Sequence, residues 1–459
     1  MRAVIIGGGI SGLSLAYFLL EQEPSLDIAI LESEKKAGGK IWTDKVDGFL
    51  CESGVNGFLD NRPRTLELIE KLALTSLKSN DTARKRYIFS DRKLRLLPES
   101  PVSFFSSDLL SLYGRLRILY EILVPMKKEN DETLADFARR RLGKEAYEKL
   151  IDPMASGIFA GDPEVMSLKS CFPKIYELEK KYGSLIKALI KLQKEAKKSG
   201  RKVGPGPGGV LTSFFVGMEA IINALKSHLG ERLKTDSRVV SIDKKGDNYV
   251  IYLSDNSNIE AEAVAIATPA YATSEIVRGI DKNLALTLDE IFYPSISVIC
   301  FGYKQVKIKH PLNGFGFLVP HREGRKILGT LWDSSIFPNR APEGYVLLRS
   351  MVGGVRKSEL AMQGEDRLIN IVMDELKDIM GINVQPDFVR VYKHKKGIPQ
   401  YSLGHKKRLE VISGIVSRFR RFYITGNAYR GISVNDCIEN SYKIAGRIIE
   451  DRSTNSFCI

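Results

Sequence analysis

A chain of 459 residues with 43% apolar and 27% charged side chains has the composition of a folded globular protein with room for more than one domain, which excludes collagen-like, coiled-coil and wholly disordered classes. Its 69 Lys and Arg against 55 Asp and Glu leave a net charge of +14, so an acidic partner is expected: nucleic acid, an anionic membrane surface or a small polycarboxylate. Five scattered cysteines (Cys51, Cys171, Cys300, Cys437, Cys458) form no CxxC pair and have no histidine at ligand spacing, so neither a metal site nor a disulfide framework is indicated and a reducing, cytoplasmic setting is expected. The apolar stretch Ala3 to Leu20 lacks a small-residue cleavage site, and no uncharged apolar run is long enough for a transmembrane helix.

In chain order, Ala3 to Ile6 predicts a strand, Gly7-Gly8-Gly9-Ile10-Ser11-Gly12 a glycine turn, Leu13 to Gln22 a helix, and Ile28 to Leu31 a second strand ending at Glu32. This is a dinucleotide-binding βαβ pattern. Gly7 permits the tight turn, Gly9 lets the backbone approach a pyrophosphate, Gly12 allows close helix–strand packing, and the helix N-terminus offers N–H groups to the anion. Glu32 is placed to accept hydrogen bonds from an adenosine ribose. The pattern alone does not separate NAD from FAD.

Gly38-Gly39-Lys40 follows Glu32 and Ser33, and then comes Gly48 to Phe58, which contains Gly54-Val55-Asn56-Gly57. At this point the sequence resembles the FAD-dependent amine oxidase and protoporphyrinogen oxidase superfamily, with Lys40 where an arginine is usual. Lysine keeps the charge but not the planar fork.

From Arg84 to Arg201 the pattern turns helical and basic, with helices expected over Leu109 to Met126, Glu132 to Asp152 and Tyr182 to Lys198. Gly204 to Gly209 reads as a loop. Phe214 to Leu229 is a helix candidate, and Val239 to Ile242, Tyr249 to Leu253 and Ile259 to Ile266 read as strands. Ala270 to Leu403 mixes both types. Arg421 to Thr425 is a strand leading through Gly426, Asn427 and Gly431 to a helix that ends near Glu450, so that main-chain N–H groups around Ile432, Ser433 and Val434 would face a flavin ring that becomes anionic on reduction. The expected class is α/β: a Rossmann-like FAD-binding domain built from discontinuous segments (1–83, 204–275, 406–459), a mainly helical, membrane-associating region (84–203) and an α+β substrate region (276–405).

Three further blocks are similar to protoporphyrinogen oxidases rather than to amine-oxidising relatives: Ser156 to Pro163 with Phe172-Pro173; Gly314 to Pro320 with Leu328 to Leu331 and Phe337 to Pro342; and Gly397 to Tyr401 with Gly404-His405 and Gly431 to Cys437. The resemblance implies an FAD held by Gly7 to Gly12, Glu32, Ser33, Gly39, Lys40, Gly54 to Gly57, Val239, Gly426, Asn427 and Ile432 to Val434. It implies a tetrapyrrole whose propionate pairs with Arg86, whose ring packs between Leu318 and Leu331 with Met351 nearby, and which meets the backbone of Gly161 and the amide of Asn56. The five histidines form no evident cluster and no nucleophile triad is present, so the flavin carries the redox step and protein acid–base chemistry is not demanded.

Apolar residues between Phe104 and Val124, and Leu185 to Leu192 among lysines, suit either packed helices or an interfacial face. The family tips the reading to peripheral attachment on an anionic, cytoplasmic membrane surface, with a downstream ferrochelatase as a further partner. Coproporphyrinogen oxidation, or amine oxidase or desaturase chemistry, are the competing readings. A nucleic-acid module has only the charge behind it.

Overall fold

The computed structural model describes residues 1–98, 101–127, 131–198 and 208–453. The expected loop Gly204 to Gly209 lies outside them as far as Pro207, as do Cys458 and the side chains of Phe105, Lys197 and Lys198.

The first strand (Arg2–Ile6), glycine turn, helix (Ile10–Gln22) and second strand (Asp27–Leu31) form as the pattern predicts. They seed an all-parallel five-stranded sheet in the order Leu233–Lys234, Asp27–Leu31, Arg2–Ile6, Ala263–Ile266, Phe422–Ile424. Successive side chains on a strand point to opposite faces, and the burial follows suit. Ala3, Ile5, Ile28, Ile30, Ala263, Ala265 and Tyr423 enter one core, with Leu13, Phe18, Ile221, Leu225 and Ile438 from the covering helices. Val4, Ile6, Ala29, Leu31, Val264, Ile266 and Phe422 enter the other, against Ile242, Tyr249, Leu284 and Ile412. Both faces are covered, which is why these strands read as unbroken apolar runs. The helix Ile10–Gln22 is buried nearly all round for the same reason.

A seven-stranded sheet forms the second layer, ordered Phe388–His394, Ile296–Lys304, Tyr345–Gly353, Ile327–Leu331, Gly316–Leu318, Arg86–Ser90, Lys93–Leu96. Its last two strands correct the helical reading that began at Arg84. They form a hairpin about Asp91 (φ 53°) and Arg92 (φ 62°), a turn that usually advertises itself by Asn-Gly or Asp-Gly. Phe214 closes a strand (Leu211–Phe214) instead of opening a helix, which starts at Glu219. Ile259 to Ile266 breaks at Glu262 into two strands of different sheets.

Between residues 101 and 198 helices do dominate, including Leu112–Leu119, Leu134–Leu142, Asp152–Phe159, Pro173–Tyr182 and Leu185–Lys198. Their hub is Arg141, fully buried. Its Nε donates to Glu179 at 2.7 Å, and its Nη1 donates to Glu121 at 3.1 Å and to the Val124 carbonyl at 2.8 Å. Glu121, also fully buried, caps the last of these helices by accepting from Ser184 Oγ (2.6 Å) and the Leu185 and Ile186 amides.

Candidate active site

A cleft of about 1060 Å³ opens along one face of the seven-stranded sheet. One wall is the seven-stranded sheet, which presents Ile296, Val298, Leu328, Leu331, Arg349 and Met351. The register pairs Leu331 with Arg349 and Gly329 with Met351, so strand alternation aims these side chains to one side. The facing wall is Lys40, Gly54 to Gly57 and Asn427 with Tyr429 to Asp436. Sequence reading therefore brought together Asn56, Leu331 and Met351 with Lys40, Gly54, Val55, Gly57, Asn427, Ile432, Ser433 and Val434.

None of Gly7 to Gly12 lines this cleft; the glycine turn is linked to it through Gly38, which bridges to Gly9 and stands two residues before the lining residue Lys40. A Cβ on Gly12 would lie 1.9 Å from the Gly7 carbonyl oxygen, and Gly7 itself has φ +108°, so turn and helix fit only without side chains there. At Gly9, by contrast, a Cβ would meet nothing within 4 Å. That open space borders the first turn of Ile10–Gln22, which carries no acidic residue and no side-chain cap, leaving the amides from Ile10 to Gly12 free of a side-chain partner. Gly9 bridges to Gly38, which brings Gly39 and Lys40 alongside. Glu32 Oε2 accepts from the Gly8 amide at 2.7 Å and Oε1 from Ser33 Oγ and the Glu34 amide. The Glu32 carbonyl accepts from Ser237, which ties the segment leading to Val239 to the same end of the sheet. Gly426 continues the neighbouring edge strand, and Ser433 caps the following helix by accepting from the Asp436 amide at 3.1 Å. The open space at Gly9 and the first-turn amides beside it suit the pyrophosphate of a dinucleotide.

Three expected substrate residues do not line the cleft. Arg86 is exposed on its strand, separated from Leu331 by Gly316, with its guanidinium over the Phe315 ring. Leu318 packs against Gly157, and Gly161 is closed in by Met166 and Gln400 beside a void of about 30 Å³.

Several residues in or behind the wall were not singled out from sequence. Arg349 Nε is 2.8 Å from Asp333 Oδ2, and both side chains are fully buried. Behind them Glu52 accepts from Thr43 Oγ1 (2.7 Å) and the Met218 amide (2.8 Å), with Arg340 at 3.6 Å. Burial pushes the Glu52 carboxyl up to about 7, against the pull of Arg340. Lys40 donates to the Lys396 carbonyl and is lowered by burial to about 8. His405, stacked on Tyr401, is lowered by burial to about 4. The usable signal for Arg349 was period two, since it lies two residues before Met351 on the same strand; Asp333 opens the short helix after Leu331 and carries no such signal.

The model of the family described as "Flavin containing amine oxidoreductase" matches residues 10–449, and the chain belongs to that family. Within it, the chain is 29% identical to the coproporphyrinogen III oxidase of Bacillus subtilis (strain 168) over 458 residues, covering 95% of this chain and 96% of that one. It is 31% identical to the mitochondrial protoporphyrinogen oxidase of Nicotiana tabacum over 489 residues, covering 99% and 96%. The fold is similar to that of a structure assigned as a protoporphyrinogen oxidase from Exiguobacterium sp. 255-15, with a TM-score of 0.83 at 24% identity over 98% of this chain and 99% of that one. It also resembles reduced UDP-galactopyranose mutase, with a TM-score of 0.76 at 17% identity over 98% and 94%. The chain is an oxidoreductase of this flavin family, and its cofactor is FAD.

Proposed function

We propose that the chain oxidises protoporphyrinogen IX to protoporphyrin IX in porphyrin biosynthesis, in three two-electron rounds with molecular oxygen as acceptor and peroxide as product. The observation that carries this reading is the cleft, which has a volume of about 1060 Å³ and is walled by Leu331, Met351, Val298 and Ile296. FAD supplies the hydride acceptor. The protein binds the macrocycle against the apolar sheet, excludes water and leaves the pyrrole protons to solvent. Arg86 would meet a propionate at the outer rim, with Leu318 and Gly161 shaping the wall from behind.

A second reading, coproporphyrinogen III with its four propionates, draws support from the lining: Lys40, Arg62, Lys169, Lys174, Lys406 and Arg430 stand against the single carboxylate of Asp436. Anaerobic mixing of the flavin-loaded protein with each porphyrinogen tests both. Loss of flavin absorbance is expected, and the faster substrate decides between them; no bleaching with either would overturn the proposal. Arg86→Ala is expected to raise the KM about fivefold, as for an exposed ion pair, with flavin retained. An unchanged KM removes Arg86 from the site.

Peripheral membrane attachment on the cytoplasmic side belongs to the same reading. Among the described residues no helix is long and apolar enough to cross a membrane. Leu112, Tyr113, Leu116, Tyr120 and Leu123 are nonetheless exposed along one short helix and its extension, with Leu123 at 69%. Such a surface suits an interface between lipid and water. A Leu116→Asp, Leu123→Asp variant is expected to bind anionic vesicles at least about tenfold more weakly, since each leucine contributes roughly 1.5–3 kcal/mol when buried. Unchanged flotation would refute it. A ferrochelatase that accepts the porphyrin product remains part of this proposal.

A further inference from the structure

Asn56 lines the cleft in line with Leu331 and Met351, and its amide is held from behind. Its Nδ2 lies 3.5 Å from Asp333 Oδ1, and Asp333 Oδ2 lies 2.8 Å from Arg349 Nε. Arg349 in turn donates through Nη1 to the carbonyl oxygens of Glu52 and Gly54, both at 3.1 Å, which fixes the strand end that delivers Asn56. Burial raises the Asp333 carboxyl and the Arg349 guanidinium pulls it back down; held as a carboxylate by that ion pair it only accepts hydrogen bonds, which turns the Asn56 NH₂ inward. What remains is Asn56 Oδ1, shielded from solvent and without a hydrogen-bond partner. An acceptor left unpaired in this way costs free energy until a ligand donor reaches it.

The tetrapyrroles differ in what they offer such an acceptor. A porphyrinogen carries an N–H on each of its four pyrrole rings. The porphyrin formed from it keeps two N–H groups and exposes two bare nitrogens, which repel an acceptor. We infer that Asp333 and Arg349 are positioning residues that lock Asn56 as an acceptor for a pyrrole N–H, so that the site favours the reduced macrocycle and releases the oxidised one. The inference rests on the porphyrinogen reading above and adds to it a polarity and the pair of residues that sets it.

The test uses the flavin-loaded full-length chain, with porphyrinogen KM from initial rates and porphyrin Kd from fluorescence quenching, for both the proto and the copro compounds. Asp333→Asn allows the Asn56 amide to turn over, and the ratio of porphyrin Kd to porphyrinogen KM is expected to fall about five- to tenfold, with the flavin spectrum unchanged. Should that variant fail to fold, Asn56→Leu carries the test: porphyrinogen KM is expected to rise about fivefold while porphyrin Kd holds. A ratio unchanged in the folded variants overturns the inference. A displaced flavin spectrum or weaker FAD retention with the ratio intact also overturns it, because the acceptor then serves the cofactor. If the unmodified protein neither oxidises nor binds any of these tetrapyrroles, the porphyrinogen reading itself falls and takes the inference with it.

Discussion

Gly12→Ala is expected to purify without flavin and with lowered stability, whereas Gly9→Ala is expected to fold with normal stability and still lose most of its flavin. The contrast follows from what each new methyl group meets. At position 12 the methyl carbon would sit 1.9 Å from a main-chain oxygen, and the obstacle is backbone that no rotamer change can remove. The turn must open, at a cost of about 3 kcal/mol, which corresponds to about a hundredfold in FAD affinity if it falls on the binding-competent state. At position 9 the methyl carbon meets no protein atom within 4 Å, and the backbone is extended with φ at −77°, so folding is unaffected. Its only conflict is with a ligand lying on the turn. Flavin absorbance per protein and thermal unfolding, measured on both variants, check the pair. Full flavin content in Gly9→Ala would show that the pyrophosphate does not approach this turn.

Arg141→Met is expected to lower stability by about 3–5 kcal/mol, because it leaves Glu121 with no cation in a region closed to water and Glu179 with Arg140 alone. Methionine fills much of the volume, so the loss is chiefly electrostatic. The deficit is expected to appear first as proteolytic sensitivity between residues 112 and 198, since Glu121 also caps the helix that starts at Leu185. Arg141→Lys keeps the charge without the fork and should fall between the two. A urea midpoint for Arg141→Met equal to that of the unmodified chain would show that the network contributes little.

The cofactor half of the molecule was legible because its signals are local. Strand, glycine turn, helix and acidic residue occupy the first 32 positions, and buried parallel strands announce themselves as apolar runs. The substrate side was legible only in part. Arg86 to Leu96 was read as helical because its dense Arg and Lys mask a hairpin whose turn, Asp91-Arg92, lacks the usual glycine. Leu331, Met351 and Asn56 reached one cleft as the resemblance implied, but Leu318, Gly161 and Arg86 did not reach its lining. The largest omission was the buried charges. Arginine is mostly a surface residue, and nothing within a few positions of Arg141, Arg340 or Arg349 marks them as enclosed, since their partners lie 20 to 38, 288 and 16 positions away.

The parallel sheet has a consequence for how the protein is made. Its five strands come from the beginning, middle and far end of the polypeptide, and the edge strand, Phe422–Ile424, is joined only after more than four hundred residues have been synthesised. Until then the nascent chain carries a glycine turn with no completed floor beneath it. Coenzyme loading is therefore a late event on the ribosome or one that follows release, and the unfinished sheet edge along Ala263–Ile266 is the surface that a chaperone has most reason to shield in the meantime.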